Sequence, residues 1–118
     1  MSEFVTVCRR GDIPAGGGRT VAAGDRLVAV FDDGGQLCAI DDACPHMGAS
    51  LGAGRLEGGI VTCPWHAWRF RVRDGVWADN PRVKTACHEV RTVGDQVQVR
   101  VATGRSALAD PGLDVSKD

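Results

Sequence analysis

No apolar run in this sequence approaches the roughly 18–20 residues needed to cross a bilayer. Behind Met1-Ser2-Glu3-Phe4 there is neither a basic flank nor an apolar stretch of the kind that directs export, so a soluble, cytoplasmic chain is expected. A surplus of one charge is lacking too. The formal net charge is −1, which gives no general attraction to nucleic acid or to anionic membranes. No stretch of about 10 residues carries the apolar period of an amphipathic helix. A nucleophile paired with a base and a nucleotide-binding loop are missing, as is tyrosine, and internal repeats are absent apart from a weak likeness between two Cys/His-bearing loops. The five cysteines, Cys8, Cys38, Cys44, Cys63 and Cys87, are odd in number. Without an export signal, they argue against a disulfide framework and for reduced thiols that can serve as metal ligands.

What is present reads as short strands. Phe4–Cys8 is β-rich, and Gly16-Gly17-Gly18 separates it from Arg19-Thr20-Val21. Leu27–Phe31 and Gln36–Ile40 flank Asp32-Asp33-Gly34-Gly35, whose glycines supply the positive φ that a hairpin turn needs. Ile60-Val61-Thr62 and Trp68–Val72 are further short strands, the second ending in a turn at Arg73-Asp74-Gly75. Thr85–Val93 and Gln96–Val101 return around Gly94-Asp95. A chain of 118 residues, 43% apolar and 25% charged, is long enough for one modest core and ordinary for a globular domain. The expectation is a single all-β domain over residues 1–101, an antiparallel sandwich or barrel with a loop-rich subdomain at about 42–81. Residues 102–118 are expected to form a loosely held tail, in which Leu108 and Leu113 could dock on the body or on a neighbouring subunit.

The subdomain carries the chemistry. Cys44-Pro45-His46 is followed, after sixteen intervening residues, by Cys63-Pro64-Trp65-His66. Thiolate with imidazole suits zinc, copper or iron–sulfur centres and suits magnesium or calcium poorly. A structural zinc site is one reading. Finger-type zinc sites, however, usually place two cysteines in one loop and two histidines in another. Here each loop holds one of each, which fits two metals better than one: a cysteine from each loop on one iron, and a histidine from each loop on the other.

Cys44-Pro45-His46-Met47-Gly48 and Cys63-Pro64-Trp65-His66-Ala67-Trp68 resemble the two halves of the Rieske [2Fe–2S] motif, and a looser likeness in strand pattern extends from about Leu27 to Val101. The resemblance implies one Rieske-type [2Fe–2S] cluster per chain. Cys44 and Cys63 would bind the sheltered iron, and His46 and His66 the exposed one. It further implies a soluble one-electron carrier rather than an enzyme, similar to the ferredoxin components of bacterial ring-hydroxylating dioxygenase systems. Such carriers take electrons from a flavin-dependent NAD(P)H reductase and give them to a terminal oxygenase. The alternatives are the small Rieske-type subunit of a nitrite reductase and, from another class, a structural zinc module.

The same resemblance bears on tuning. High-potential members carry a serine two residues after the second histidine and a tyrosine two further on, both donating to sulfur. Here those positions hold Trp68 and Phe70. Ala49 and Trp65 stand where such members tie the loops with a disulfide. A potential toward the low end of the roughly −150 to +300 mV Rieske range is therefore expected. Met47 and Leu51 either cover the cluster or fill the core. Pro81 belongs either to a covering loop or to a simple turn, and Trp65 and Trp68 either to an apolar collar or to the core. Arg55, Arg69, Arg71 and Arg73 read as a solvated face, with docking to an acidic partner as the sharper alternative. Cys8, Cys38 and Cys87 read as small apolar strand residues, and His88 as structural or exposed rather than a ligand.

Overall fold

Alternating and continuous apolar runs give this chain its strands, and glycine turns space them. The computed structural model describes residues 3–43, 50–64, 68–80 and 82–101, with the backbone alone at 107–108. Within them lie β1 (Phe4–Arg9), β2 (Gly18–Ala23), β3 (Arg26–Asp33), β4 (Gln36–Asp41), β5 (Arg55–Glu57), β6 (Ile60–Thr62), β7 (Arg69–Arg71), β8 (Val83–Lys84), β9 (Cys87–Val93), β10 (Gln96–Arg100) and β11 (Ala107–Leu108). Helical structure among the described residues is confined to two single 3₁₀ turns, Arg10–Asp12 and Leu51–Ala53. No helix there is long and apolar enough to cross a membrane. The expected all-β antiparallel architecture is what forms.

Six strands make the main sheet, in the order β1-β10-β9-β4-β3-β2, with every neighbour antiparallel. The β3–β4 hairpin is the one anticipated. Asp33 pairs with Gln36, and Gly34 and Gly35 adopt φ of 63° and 97°. Two consecutive positive φ values define the type I′ turn whose twist matches the flanking strands. The Asp32 carboxylate accepts the Gly35 N–H at 2.7 Å and an Arg10 guanidinium N–H at 3.1 Å, tying the turn to the end of β1.

β3 has both faces covered, which is why its sequence is a continuous apolar run rather than an alternating one. Val28 and Val30 point into one core with Val21, Ala39, Val97 and Val99. Ala29 and Phe31 point into the other, with Cys38, Ile40, Leu51, Val61, Phe70 and Val83. That second core is the seam between the main sheet and the subdomain. The subdomain itself is a three-stranded sheet, β5-β6-β7, in which Leu56, Val61 and Phe70 align across the strands and turn their side chains inward.

The strand at Thr85–Val93 begins two residues later than anticipated. The Thr85 N–H donates to the Gly75 carbonyl at 2.8 Å, fastening this segment to the subdomain turn before β9 joins the main sheet. β5 and β8 were not anticipated, because three and two residues are too few to show a period. In the stretch expected as a tail, Ala107–Leu108 pairs with Val83–Lys84.

Candidate metal centre

Of the four expected ligands, Cys63 falls within the described residues; Cys44, His46 and His66 lie outside them, as do Met47, Ala49, Trp65 and Pro81. The loop stems on which all four sit are described. Ala43 and Ser50 form an antiparallel bridge that closes the base of the first loop, and the Cys63 N–H donates to the Trp68 carbonyl at 2.6 Å, closing the second.

The two stems are packed together by close backbone approach. A Cβ on Gly54 would lie 2.3 Å from the Thr62 carbonyl oxygen and 3.1 Å from that of Leu51, so only glycine lets the return of the first loop run against the strand entering the second. Cys63 is 1% exposed, in one apolar cluster with Leu51, Val61, Trp68 and Phe70. A thiolate held in such a place needs compensating positive charge, which a metal supplies. The donor chemistry and the shelter around Cys63 therefore fit a cysteine on the inner iron of an iron–sulfur centre.

Leu51 is fully buried, in the same apolar cluster as Cys63. Trp68 is core as well, 7% exposed and stacked on Trp77 with ring centroids 4.0 Å apart and planes 10° from parallel. Trp77 was missed. A lone tryptophan near a turn carries no signal, and its place depends on the Phe70–Trp77 bridge that brings it over Trp68. Its buried indole N–H finds no partner among the described residues. Phe70 is also fully buried, so neither Trp68 nor Phe70 presents a hydroxyl to this region.

The remaining cysteines behave as neutral thiols. Burial pushes Cys38 up from its ordinary value, with Asp33 adding to it; burial and then Asp74 raise Cys87; burial and then Asp12 raise Cys8. Cys38 is buried and the other two are only partly so, and the Cys87 thiol donates to the Arg73 carbonyl at 3.3 Å. His88 is buried and structural, with Nε2 2.8 Å from Asp41 Oδ1. Arg69 and Arg71 are exposed and paired with Asp79 at 2.5 Å and Asp74 at 2.6 Å, while Arg55 and Arg73 are exposed and form no ion pair among the described residues.

Comparison with known proteins places this geometry. A family model described as the Rieske [2Fe-2S] domain matches residues 3–103. The chain is 33% identical over 103 residues to Apoptosis-inducing factor 3 of Mus musculus, covering 87% of this chain but 17% of that protein. It thus spans less than a fifth of the length of that relative. It is 37% identical over 79 residues to Ferredoxin CarAc of Metapseudomonas resinovorans, covering 66% of this chain and 74% of that one.

Among solved structures, it is similar to a chain in the complex of reduced oxygenase and oxidized ferredoxin in carbazole 1,9a-dioxygenase, with a TM-score of 0.75, 33% identity, and 89% and 96% of the two chains covered. It is likewise similar to a structure described as a putative NADH-dependent nitrite reductase small subunit from Mycobacterium tuberculosis, with a TM-score of 0.77, 27% identity, and 88% and 99% covered.

Proposed function

This chain belongs to the Rieske [2Fe-2S] domain family, whose cofactor is a Rieske-type cluster, and on that premise we propose that it is a one-electron carrier between a flavin-dependent NAD(P)H reductase and a terminal oxygenase. The observation that carries the proposal is the likeness, over 89% of this chain and 96% of the other, to a chain of a ferredoxin–oxygenase complex. In this reading residues 1–101 are one cluster-binding domain that works in the cytoplasm, with 102–118 as a tail.

Cys44 and Cys63 would hold the inner iron, and His46 and His66 the outer one. When bound, the cluster supplies a one-electron couple with every protein ligand position filled, so the chain is a carrier rather than a catalyst. This chain's own residues do the rest. The apolar packing of Leu51, Trp68 and Phe70 around Cys63 keeps water from the thiolate side. Trp68 and Phe70 offer no hydroxyl to sulfur, which leaves the reduced state less stabilised and the potential low in the Rieske range.

The test is anaerobic. Purified protein should contain iron and acid-labile sulfide in equal amounts, show visible charge-transfer bands, be reduced by a flavin NAD(P)H reductase, and be reoxidised by an oxygenase in the presence of its substrate. A colourless protein holding a single zinc overturns the proposal. The second reading, a small subunit of a nitrite reductase, is supported by the likeness to the structure described as such a subunit. Co-purification with a large nitrite-reducing subunit, and no turnover with an oxygenase, would select it.

A further inference from the structure

The ligand-bearing subdomain and the rest of the chain carry charge of opposite sign. Between residues 44 and 85 the sequence has six basic side chains, Arg55, Arg69, Arg71, Arg73, Arg82 and Lys84, against three acidic ones, Glu57, Asp74 and Asp79. That stretch is therefore +3, and the rest of a chain whose formal charge is −1 carries −4. All six basic residues are exposed. The carboxylates beside the first ligand loop are bonded within the fold. Asp41 accepts from the Arg26 guanidinium at 2.8 and 2.7 Å, and Asp42 from the Thr20 and Ser50 hydroxyls at 2.8 and 3.0 Å and the Gly52 N–H at 2.8 Å.

The register of the small sheet gathers part of the positive charge beside the second ligand loop. Arg55, Thr62 and Arg69 stand opposite one another across β5, β6 and β7, in one row. Leu56, Val61 and Phe70 fill the next row and turn inward, so strand alternation turns the Arg55–Thr62–Arg69 row outward. Thr62 directly precedes Cys63, and Arg69 directly follows Trp68, whose carbonyl closes that loop. Arg55 forms no ion pair among the described residues. Arg69 is paired with Asp79, but the two side chains are 49% and 46% exposed, where an ion pair contributes little and a better-placed carboxylate can replace its partner. Two guanidiniums thus flank a hydroxyl on an outward face at the stem of the loop, and a guanidinium offers a planar fork that matches a carboxylate.

We propose that the Arg55–Thr62–Arg69 row is the docking face for a carboxylate-rich surface of the protein that exchanges electrons with this chain. The role rests on the reading of the chain as a Rieske electron carrier. The charge of this face is opposite to that of the chain as a whole, so an acidic partner is drawn in with the subdomain leading and the second ligand loop at the contact. An excess of +3 spread over a surface of mixed sign suits a protein face better than a membrane or a nucleic acid, both of which draw on dense runs of basic residues.

Protein-film voltammetry on gold monolayers ending in carboxylate or in amine tests the proposal, with the carboxylate layer serving as the acidic surface. At low salt the wild type should give a reversible one-electron wave on carboxylate, the electrode passing one electron to the oxidised cluster and taking it back. The current should exceed that on amine about tenfold and be lost as salt screens the contact. Arg55→Glu should lower the carboxylate current about tenfold. Arg19→Glu, an equal change of net charge at an exposed position on β2, should leave it unchanged. A wave on amine alone, adsorption on carboxylate without a wave, or equal losses in the two variants overturns the docking face. Sedimentation showing a low-salt dimer that Arg55→Glu abolishes, or flotation with phosphatidylserine vesicles, assigns the face to another occupant and overturns it too. Should Arg55→Glu fail to hold iron, Arg55→Gln against Arg19→Gln decides by the same comparison. A wild-type protein without iron and acid-labile sulfide overturns the carrier reading and this role together, whereas iron-replete protein with the wrong currents overturns the docking face alone.

Discussion

The main sheet and the subdomain are built from the same residue types but held together by different physics. In the main sheet, long ladders such as the six-pair register of β2 on β3 and that of β3 on β4 secure each strand through many equivalent bonds. In the subdomain, strands of three residues leave few ladder bonds, and particular contacts take over. These are the Asp42 carboxylate across the loop stems, the close approach at Gly54, and the Trp68–Trp77 stack. Redundant bonds tolerate single losses, whereas discrete ones do not. The region that must hold a cofactor is therefore the one whose order depends on a few side chains and on the cofactor itself.

The largest expected effect breaks the comparison at its centre. Cys63→Ser should abolish the visible bands and the iron content. Amide hydrogen exchange should then speed up in β5–β7 while the β2–β3–β4 ladder keeps its protection. Equal loss of protection in both regions would show that they are one cooperative unit.

The next effect lies on the seam. Phe31 is fully buried between the two regions, and its ring is so close to Gly18 that a Cβ there would sit 2.4 Å away. Phe31→Ala should cost about 3–5 kcal/mol in denaturant unfolding, with or without the cluster. A cost confined to the cluster-loaded form would place the ring's contribution in the subdomain alone.

Gly54→Ala sharpens the contrast further, because the added methyl meets the Thr62 backbone, which cannot swing aside as a side chain could. A loss of about 1–3 kcal/mol is expected, together with poorer retention of iron. The same substitution at Gly11, where nothing lies within 4 Å of the added carbon and φ is not positive, serves as the control.

The smallest effect belongs to the main sheet. The Gly35 amide and then the Arg10 guanidinium hold Asp32 below the ordinary carboxylate value. Its contribution to stability is thus present above about pH 4, the unfolded value, and is lost as the pH falls through the lower folded one. Asp32→Asn should lower stability at neutral pH and flatten the acid limb of the stability curve. An unchanged limb would show that the turn does not depend on the charge of this carboxylate.

Legibility followed the same division. The apolar run Leu27–Phe31 and the glycines at 34 and 35 declared the central hairpin, because an unbroken β-rich run and a positive φ are local properties. The Cys/His spacing declared the family for a similar reason: a metal's demand for particular donor atoms is written into residue type. Trp77, β5, β8 and the Asp42 contacts were not legible. Each depends on residues distant in sequence, as Thr20 and Asp42 are 22 positions apart.

Composition and spacing alone determined that this is a β protein of the Rieske family with four candidate donor side chains, since strand patterning and ligand chemistry require nothing from distant segments. Only the tertiary structure decided that Cys63 is sheltered, that Trp68 is buried in the core, and that of two adjacent aspartates one bonds an arginine and the other hydroxyls and an amide. Burial and charge compensation are properties of what the folded chain brings alongside a residue, and its immediate neighbours in sequence do not specify them.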